Sequence, residues 1–278
     1  MTCSVSQEDH WVETPYGRLF ARRWRPERGI GEPPVVLFHD SLGCVALWRD
    51  FPERLAERTG RDVIAYDRLG FGLSESHPGD LSAHFIRDEA ERFFPLLRAG
   101  LDITRFVVFG HSVGGAMAAA CAARYSEACQ ALITESAQAF VEKRTLHGIR
   151  LAEATFREPG QIERLEKYHG SKARWVLAAW TETWLSRAFA TWTIERYAPA
   201  LACPLLVIHG EEDEYGSALH PERIARLATG CSERLILPGC HHVPHREQAE
   251  AVLAAVARFL VTRQSDCPDR NQDSTVSC

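Results

Sequence analysis

Short apolar runs alternate along this chain with longer stretches whose apolar residues recur every three or four positions. His10 to Thr14 and Leu19 to Trp24, joined by the turn Pro15-Tyr16-Gly17, predict an antiparallel edge hairpin. Val35 to Phe38, Val63 to Tyr66, Phe106 to Phe109, Ala131 to Thr134, Leu205 to Ile208 and Arg234 to Leu237 predict strands, most of them with no polar residue inside. Unbroken apolar runs of this length suit strands covered on both faces. Between them, helical periodicity spans Ala46 to Thr59, Ser82 to Leu97 with Ser82 as its N-cap, Pro221 to Ala228, and His245 to Thr262. Strand and helix in alternation predict an α/β fold: a mainly parallel sheet of roughly eight strands with helices on both faces.

The alternation breaks once, over residues 138–198, after the sixth strand. That stretch is mostly helical and holds Trp175, Trp180, Trp184 and Trp192. It is expected to form a helical lid over a core made of residues 1–137 and 199–263. Residues 264–278 are polar and are expected to be disordered.

Composition narrows the class. A chain of 278 residues that is 45% hydrophobic can fill a large core of its own. Its net charge of −5, with signs interspersed, argues against a nucleic-acid partner. Met1 to His10 are polar and acidic, unlike a secretory signal, and no apolar run is long enough to cross a bilayer. The nine cysteines are odd in number and lack metal-like spacing. Reduced thiols in a cytoplasmic setting are expected, with no membrane partner. Oligomeric state is not legible.

Candidate chemistry gathers where apolar strands end. In parallel sheets functional groups collect at the carboxyl ends of strands, and His39 to Gly43, Ser112, Asp213 and His242 each follow a strand. The densest stretch is Phe106-Val107-Val108-Phe109-Gly110-His111-Ser112-Val113-Gly114-Gly115, followed by the alanine-rich helix former Ala116 to Ala123. Strand, sharp turn and helix with Ser112 at the apex form the context of a Gly-x-Ser-x-Gly nucleophile elbow. Such a turn leaves no room for a Cβ two residues either side of the serine. It also forces the serine into a strained backbone that lifts its Oγ clear of the sheet. A serine hydroxyl needs a base beside it, and the base needs an orienting carboxylate. The order Ser112, Asp213, His242 is the one this chemistry takes on such a sheet.

These residues resemble the α/β-hydrolase superfamily, and within it the capped, esterase-like branch. The resemblance rests on the elbow, on the loop Asp67-Arg68-Leu69-Gly70-Phe71-Gly72-Leu73-Ser74, on the acid turn His209-Gly210-Glu211-Glu212-Asp213, and on Gly239-Cys240-His241-His242-Val243-Pro244-His245. It covers residues 10–262. It implies Ser112 as nucleophile, His242 as base and Asp213 as acid. Glu211, Glu212, Glu214 and Glu135 compete for the acid role, and His241 and His245 for the base. An oxyanion hole needs two backbone N–H donors. The resemblance implies Val113 for one and Ser41 for the other, with Leu42 as fallback; Asp40 stands where the family has glycine. Leu42, His111, Trp180 and Trp184 are the candidates to face substrate. No metal and no cofactor is expected, because Pro244 breaks the helical spacing that the histidine cluster would need.

The function so implied is hydrolysis of a small carboxylic ester, or a related acyl compound, through an acyl-enzyme. The same residues also serve lactone opening, carbon–carbon cleavage of ring-cleavage products, or removal of a methyl ester from a carrier-bound acyl chain. A member that only binds a small ligand is the remaining alternative.

Overall fold

Period-two alternation divides each covered strand between two hydrophobic layers. Val36, Phe38, Ile64, Tyr66 and Val108 face one side, while Val35, Leu37, Val63, Ala65, Val107 and Phe109 face the other. The structure, a computed structural model, describes residues 4–227, 229 and 231–265. Among these, the sheet has eight strands: β1 (Val5–Val12), β2 (Leu19–Pro26), β3 (Val35–Phe38), β4 (Val63–Tyr66), β5 (Phe106–His111), β6 (Cys129–Glu135), β7 (Leu205–Gly210) and β8 (Ser232–Leu237). Their spatial order is β1-β2-β4-β3-β5-β6-β7-β8. Pairing is antiparallel for β1 with β2 and β2 with β4, and parallel from β4 to β8.

The helices are α1 (Phe51–Thr59), α2 (Phe85–Asp88), α3 (Phe94–Gly100), α4 (Val113–Arg124), α5 (Lys143–Thr155), α6 (Gln161–His169), α7 (Ala173–Leu185), α8 (Leu219–Leu227), α9 (Pro244–Glu247) and α10 (Ala249–Ser265). Residues of α4, such as Met117 and Cys121, join the first layer. Leu55 of α1 and Val252, Val256 and Phe259 of α10 join the second. Each large apolar side chain sealed in this way stabilises the fold by about 1.5–3 kcal/mol. α4 is buried almost all round, so its apolar residues form no single stripe. No helix among the described residues is long and apolar enough to cross a membrane.

Three helices depart from the periodic pattern, and a proline explains the first two. The helix expected over Ala46 to Thr59 is a 3-10 turn, Val45–Trp48, then a break at Arg49 with φ 55, then α1. Pro52 has no N–H to donate, so it sits in the first turn of α1 and the helix starts afresh there. Pro95 does the same in the segment expected as one helix from Ser82. A π-helical turn, Glu89–Phe93, separates α2 from α3, which begins at Phe94 with Pro95 in its first turn. Ser82 does not cap α2; its Oγ accepts from the His84 amide (3.0 Å) in a turn before the helix. The last helix is likewise split into α9 and α10, and it extends to Ser265. Of the polar tail 264–278, residues 266 onward lie outside the described residues, as does Ala228.

β3 lies between β4 and β5, so the chain builds outward to β4 and then crosses back to lay β5 on the other flank. The crevice beyond the carboxyl ends of β3 and β5 is therefore a topological switch point, the place where open α/β sheets put ligands. Both the loop from His39 and the turn at Ser112 open there. The segment between β6 and β7 carries α5, α6 and α7, and its two ends meet at the bridge between Phe140 and Thr193. Leu165, Ala173 and Val176 of this segment pack on Phe71, with Leu42, Trp175 and Leu177 around them.

Candidate active site

Ser112 occupies a backbone conformation that a residue with a side chain rarely adopts, φ 55 and ψ −126. The surrounding glycines show why the turn is this tight. A Cβ on Gly110 would lie 2.1 Å from the Gly114 carbonyl oxygen, and one on Gly114 would lie 2.1 Å from that of Phe38. Both obstacles are backbone, which cannot swing aside. Gly114→Ala should therefore lower stability by about 3 kcal/mol, through overpacking that pushes β3 and α4 apart. A Tm equal to that of the wild type would refute the close approach.

His242 brings its Nε2 to 3.1 Å from the Ser112 Oγ, and its Nδ1 lies 2.9 Å from both carboxylate oxygens of Asp213. An imidazole donating from Nδ1 to a carboxylate keeps a lone pair on Nε2, placed to take the serine proton. Asp213 also accepts from the amides of Tyr215 (2.8 Å) and Gly216 (2.9 Å). Burial opposes its ionisation, but the charge and hydrogen bond of His242, with His209 and the Tyr215 amide, hold its pKa down at about 2. For His242, burial alone would depress the pKa; the Asp213 carboxylate outweighs it and raises the value. The rival residues are placed elsewhere. Glu135 pairs with His245, and His241 is exposed and bonded to Glu247.

The loop after β3 is braced on one carbonyl. Asp40 C=O accepts from His39 Nδ1–H (2.8 Å) and from Arg68 Nη2 (2.9 Å). His39 Nε2 in turn accepts from the Arg68 backbone N–H (3.2 Å) and Nε (3.3 Å). In a trans peptide C=O and N–H point opposite ways, so holding the Asp40 carbonyl fixes the direction of the Ser41 N–H. Val113 opens α4, where the first N–H groups have no acceptor within the helix. Gly114 abuts the carbonyls of Phe38 and His39, which brings the Ser41 loop alongside the elbow. Asp40 sends its Oδ2 to 3.7 Å from His111 Nδ1.

The other candidates separate. His111 is buried, and its Nε2–H donates to the carbonyl of His242 (2.8 Å), so it supports the base loop. Burial, helped by His245, lowers its pKa to about 4 and keeps it neutral. His111, Glu135 and His245 bring three potential metal-ligand atoms within 4.8 Å of one another. His111 Nε2 and His245 Nδ1 are already engaged by the His242 carbonyl and Glu135, so the cluster reads as bracing of the base loop. Trp180 approaches Tyr215 (6.1 Å between rings), and Tyr215 lies 4.8 Å from the ring of His242. Trp184, one helical turn on, is buried in the core against Phe189 and Trp192. Leu42 packs with the helices after β6, in contact with the cluster around Phe71.

Several neighbours of the site belong to no motif in the sequence. Gln138 has its Oε1 3.5 Å from Ser112 Oγ, and Thr145 and Arg144 of α5 bind the Tyr215 and Asp213 carbonyls. Arg68 lies in the Asp67 to Ser74 loop and His39 in the loop after β3, and only the fold brings the two together. A cleft of ≈ 250 Å³ lined by Asp80, Trp175, Glu182 and others has no residue of the Ser112, His242, Asp213 group in its wall.

A family model described as alpha/beta hydrolase fold matches residues 33–158. Over 84% of this chain and 80% of the relative, the sequence is 25% identical to serine hydrolase BPHL of Mus musculus. It is also 25% identical to proline iminopeptidase of Lactobacillus helveticus, over 84% of this chain and 92% of the relative. The crystal structure of proline iminopeptidase from Mycobacterium smegmatis superposes with a TM-score of 0.71 at 21% identity, covering 93% of this chain and 99% of that one. Strand order, elbow, family match and relatives agree: the chain has the α/β-hydrolase fold and is a hydrolase.

Proposed function

We propose that the chain is a serine hydrolase that cleaves a small carboxylic ester through an acyl-enzyme. The observation that carries this reading is the unbroken relay from Asp213 through His242 to Ser112, at 2.9 and 3.1 Å. Ser112 attacks the acyl carbonyl as His242 Nε2 takes its proton. The tetrahedral oxygen is met by the N–H groups of Ser41 and Val113, which are in place before charge develops and so stabilise the transition state selectively. His242 then protonates the leaving alcohol. A water activated by the same imidazole releases the acid. Asp213 holds the ring and offsets its charge while it is an imidazolium. The helices α5 to α7 act as the cap over this site, with Trp180 and Tyr215 on its wall.

A second reading has one specific support. The negative charges of Asp40 and Glu214 both bear on His242. An anionic surround favours a substrate with a free amine, as in an aminoacyl amide, and one of the relatives bears the name of a peptidase.

The test is kcat/KM for p-nitrophenyl esters from acetate to decanoate beside L-proline p-nitroanilide. The ester reading expects a maximum at short acyl length and little anilide turnover. Preference for the anilide would establish the second reading, and inertness toward every ester would defeat the first.

A further inference from the structure

We propose that His169, at the end of α6 in the cap, is a positioning residue for the oxyanion hole, so that docking of the cap completes the catalytic site. This rests on the reading of Ser112 and Ser41 given above.

His169 is 1% exposed and uses both ring nitrogens. Its Nδ1 accepts from the Gly72 N–H at 2.9 Å, and its Nε2–H donates to the Leu42 carbonyl at 3.0 Å. One imidazole therefore ties the cap to two separate loops of the core. Burial lowers its pKa, which suits a neutral ring with one donor and one acceptor.

Each loop is anchored on its far side. Gly72 has no freedom to follow a moving cap: the Asp67 carboxylate sits against its Cα and accepts from the amides of Val45 (2.6 Å) and Leu73 (2.7 Å). Lys172, three residues beyond His169, donates to the Gly72 carbonyl at 2.9 Å. Gly72 is thus a fixed post, and His169 transmits its position to Leu42. On the other side of Ser41, the Asp40 carbonyl is gripped by Arg68 and His39. Ser41 lies between these two held carbonyls, and His169 supplies the hold on one of them. A second line of contact runs beside it. Phe71 packs edge-on to His169 (6.1 Å between rings) and carries the Arg68 guanidinium 4.0 Å from its ring centroid.

An oxyanion donor acts in the transition state, not on bound substrate, so disturbing its aim lowers kcat and leaves KM. The test compares His169→Phe, which keeps the ring's volume without its hydrogen bonds, with His169→Gln, whose amide offers an acceptor and a donor side by side. Both are assayed on p-nitrophenyl acetate, with kcat referred to the fraction folded by near-UV circular dichroism. His169→Phe should lose about ten- to hundredfold in kcat, the scale of a slightly misplaced group, with KM within about twofold. His169→Gln should recover most of that loss. A Phe variant with wild-type kcat, or a Gln variant no better than Phe, would overturn the proposal. Ser112→Ala run in parallel separates the two failures. If it still turns over the ester, the reading of the site is wrong; if it is dead while His169→Phe is fully active, only the role of His169 is.

Discussion

Under the proposed mechanism, replacing Ser112 by alanine should reduce ester turnover by about 10⁴–10⁶-fold, the loss expected when the nucleophile of a concerted triad is removed. The physical basis is that, among the described residues, Ser112 is the hydroxyl held against His242 Nε2 at the mouth of the β3–β5 crevice. Turnover that remains would come from the oxyanion donors acting on water attack, and it should show no burst of released alcohol because no acyl-enzyme forms. The variant should stay folded. Gly110 and Gly114 still permit the tight turn, and the Ser112 amide keeps its 2.8 Å bond to the Glu135 carbonyl whatever the side chain. A folded Ser112→Ala protein that retained more than about a tenth of wild-type kcat would remove Ser112 from the mechanism.

Asp213→Asn should cost about 10⁴-fold in kcat and move the pH profile in a direction that the electrostatics dictate. In the wild type, Asp213 raises the pKa of His242 against a burial effect that would lower it. A base works only when neutral, so wild-type kcat/KM should fall as the pH drops through a value above the ordinary 6.5 of histidine. With asparagine the raising charge is gone and burial acts unopposed. The acid limb should then shift to lower pH, even as the plateau collapses because the amide can donate to Nδ1 and leave the wrong tautomer facing Ser112. A pH–rate profile settles the matter. An acid limb that stays in place would mean that Asp213 does not set the charge state of the base.

Much of this architecture was readable from local pattern, because local pattern is what its physics depends on. Residues such as Val35 to Phe38 and Phe106 to Phe109 announce covered strands by being apolar on both faces. The Gly110, Ser112 and Gly114 spacing announces the elbow, because a turn that tight tolerates no Cβ at its flanks. The order Ser112, Asp213, His242 follows from which strands end in the crevice. Pro52 and Pro95 carry a local signal too, the missing N–H that restarts each helix in its first turn, even where hydrophobic periodicity runs on unbroken.

What tertiary structure alone decided are the pairings between side chains far apart in the chain. Nothing near His169 in sequence indicates that its two nitrogens will meet Gly72 and Leu42, or near His111 that it will hold the His242 carbonyl. Trp180 and Trp184 are one helical turn apart and alike in type, yet one reaches Tyr215 and the other fills the core. Helical spacing determines which residues share a face. How the helix is seated over the sheet determines which end of that face is buried and which borders the site, and the seating comes from the sum of many contacts rather than from any short stretch of chain.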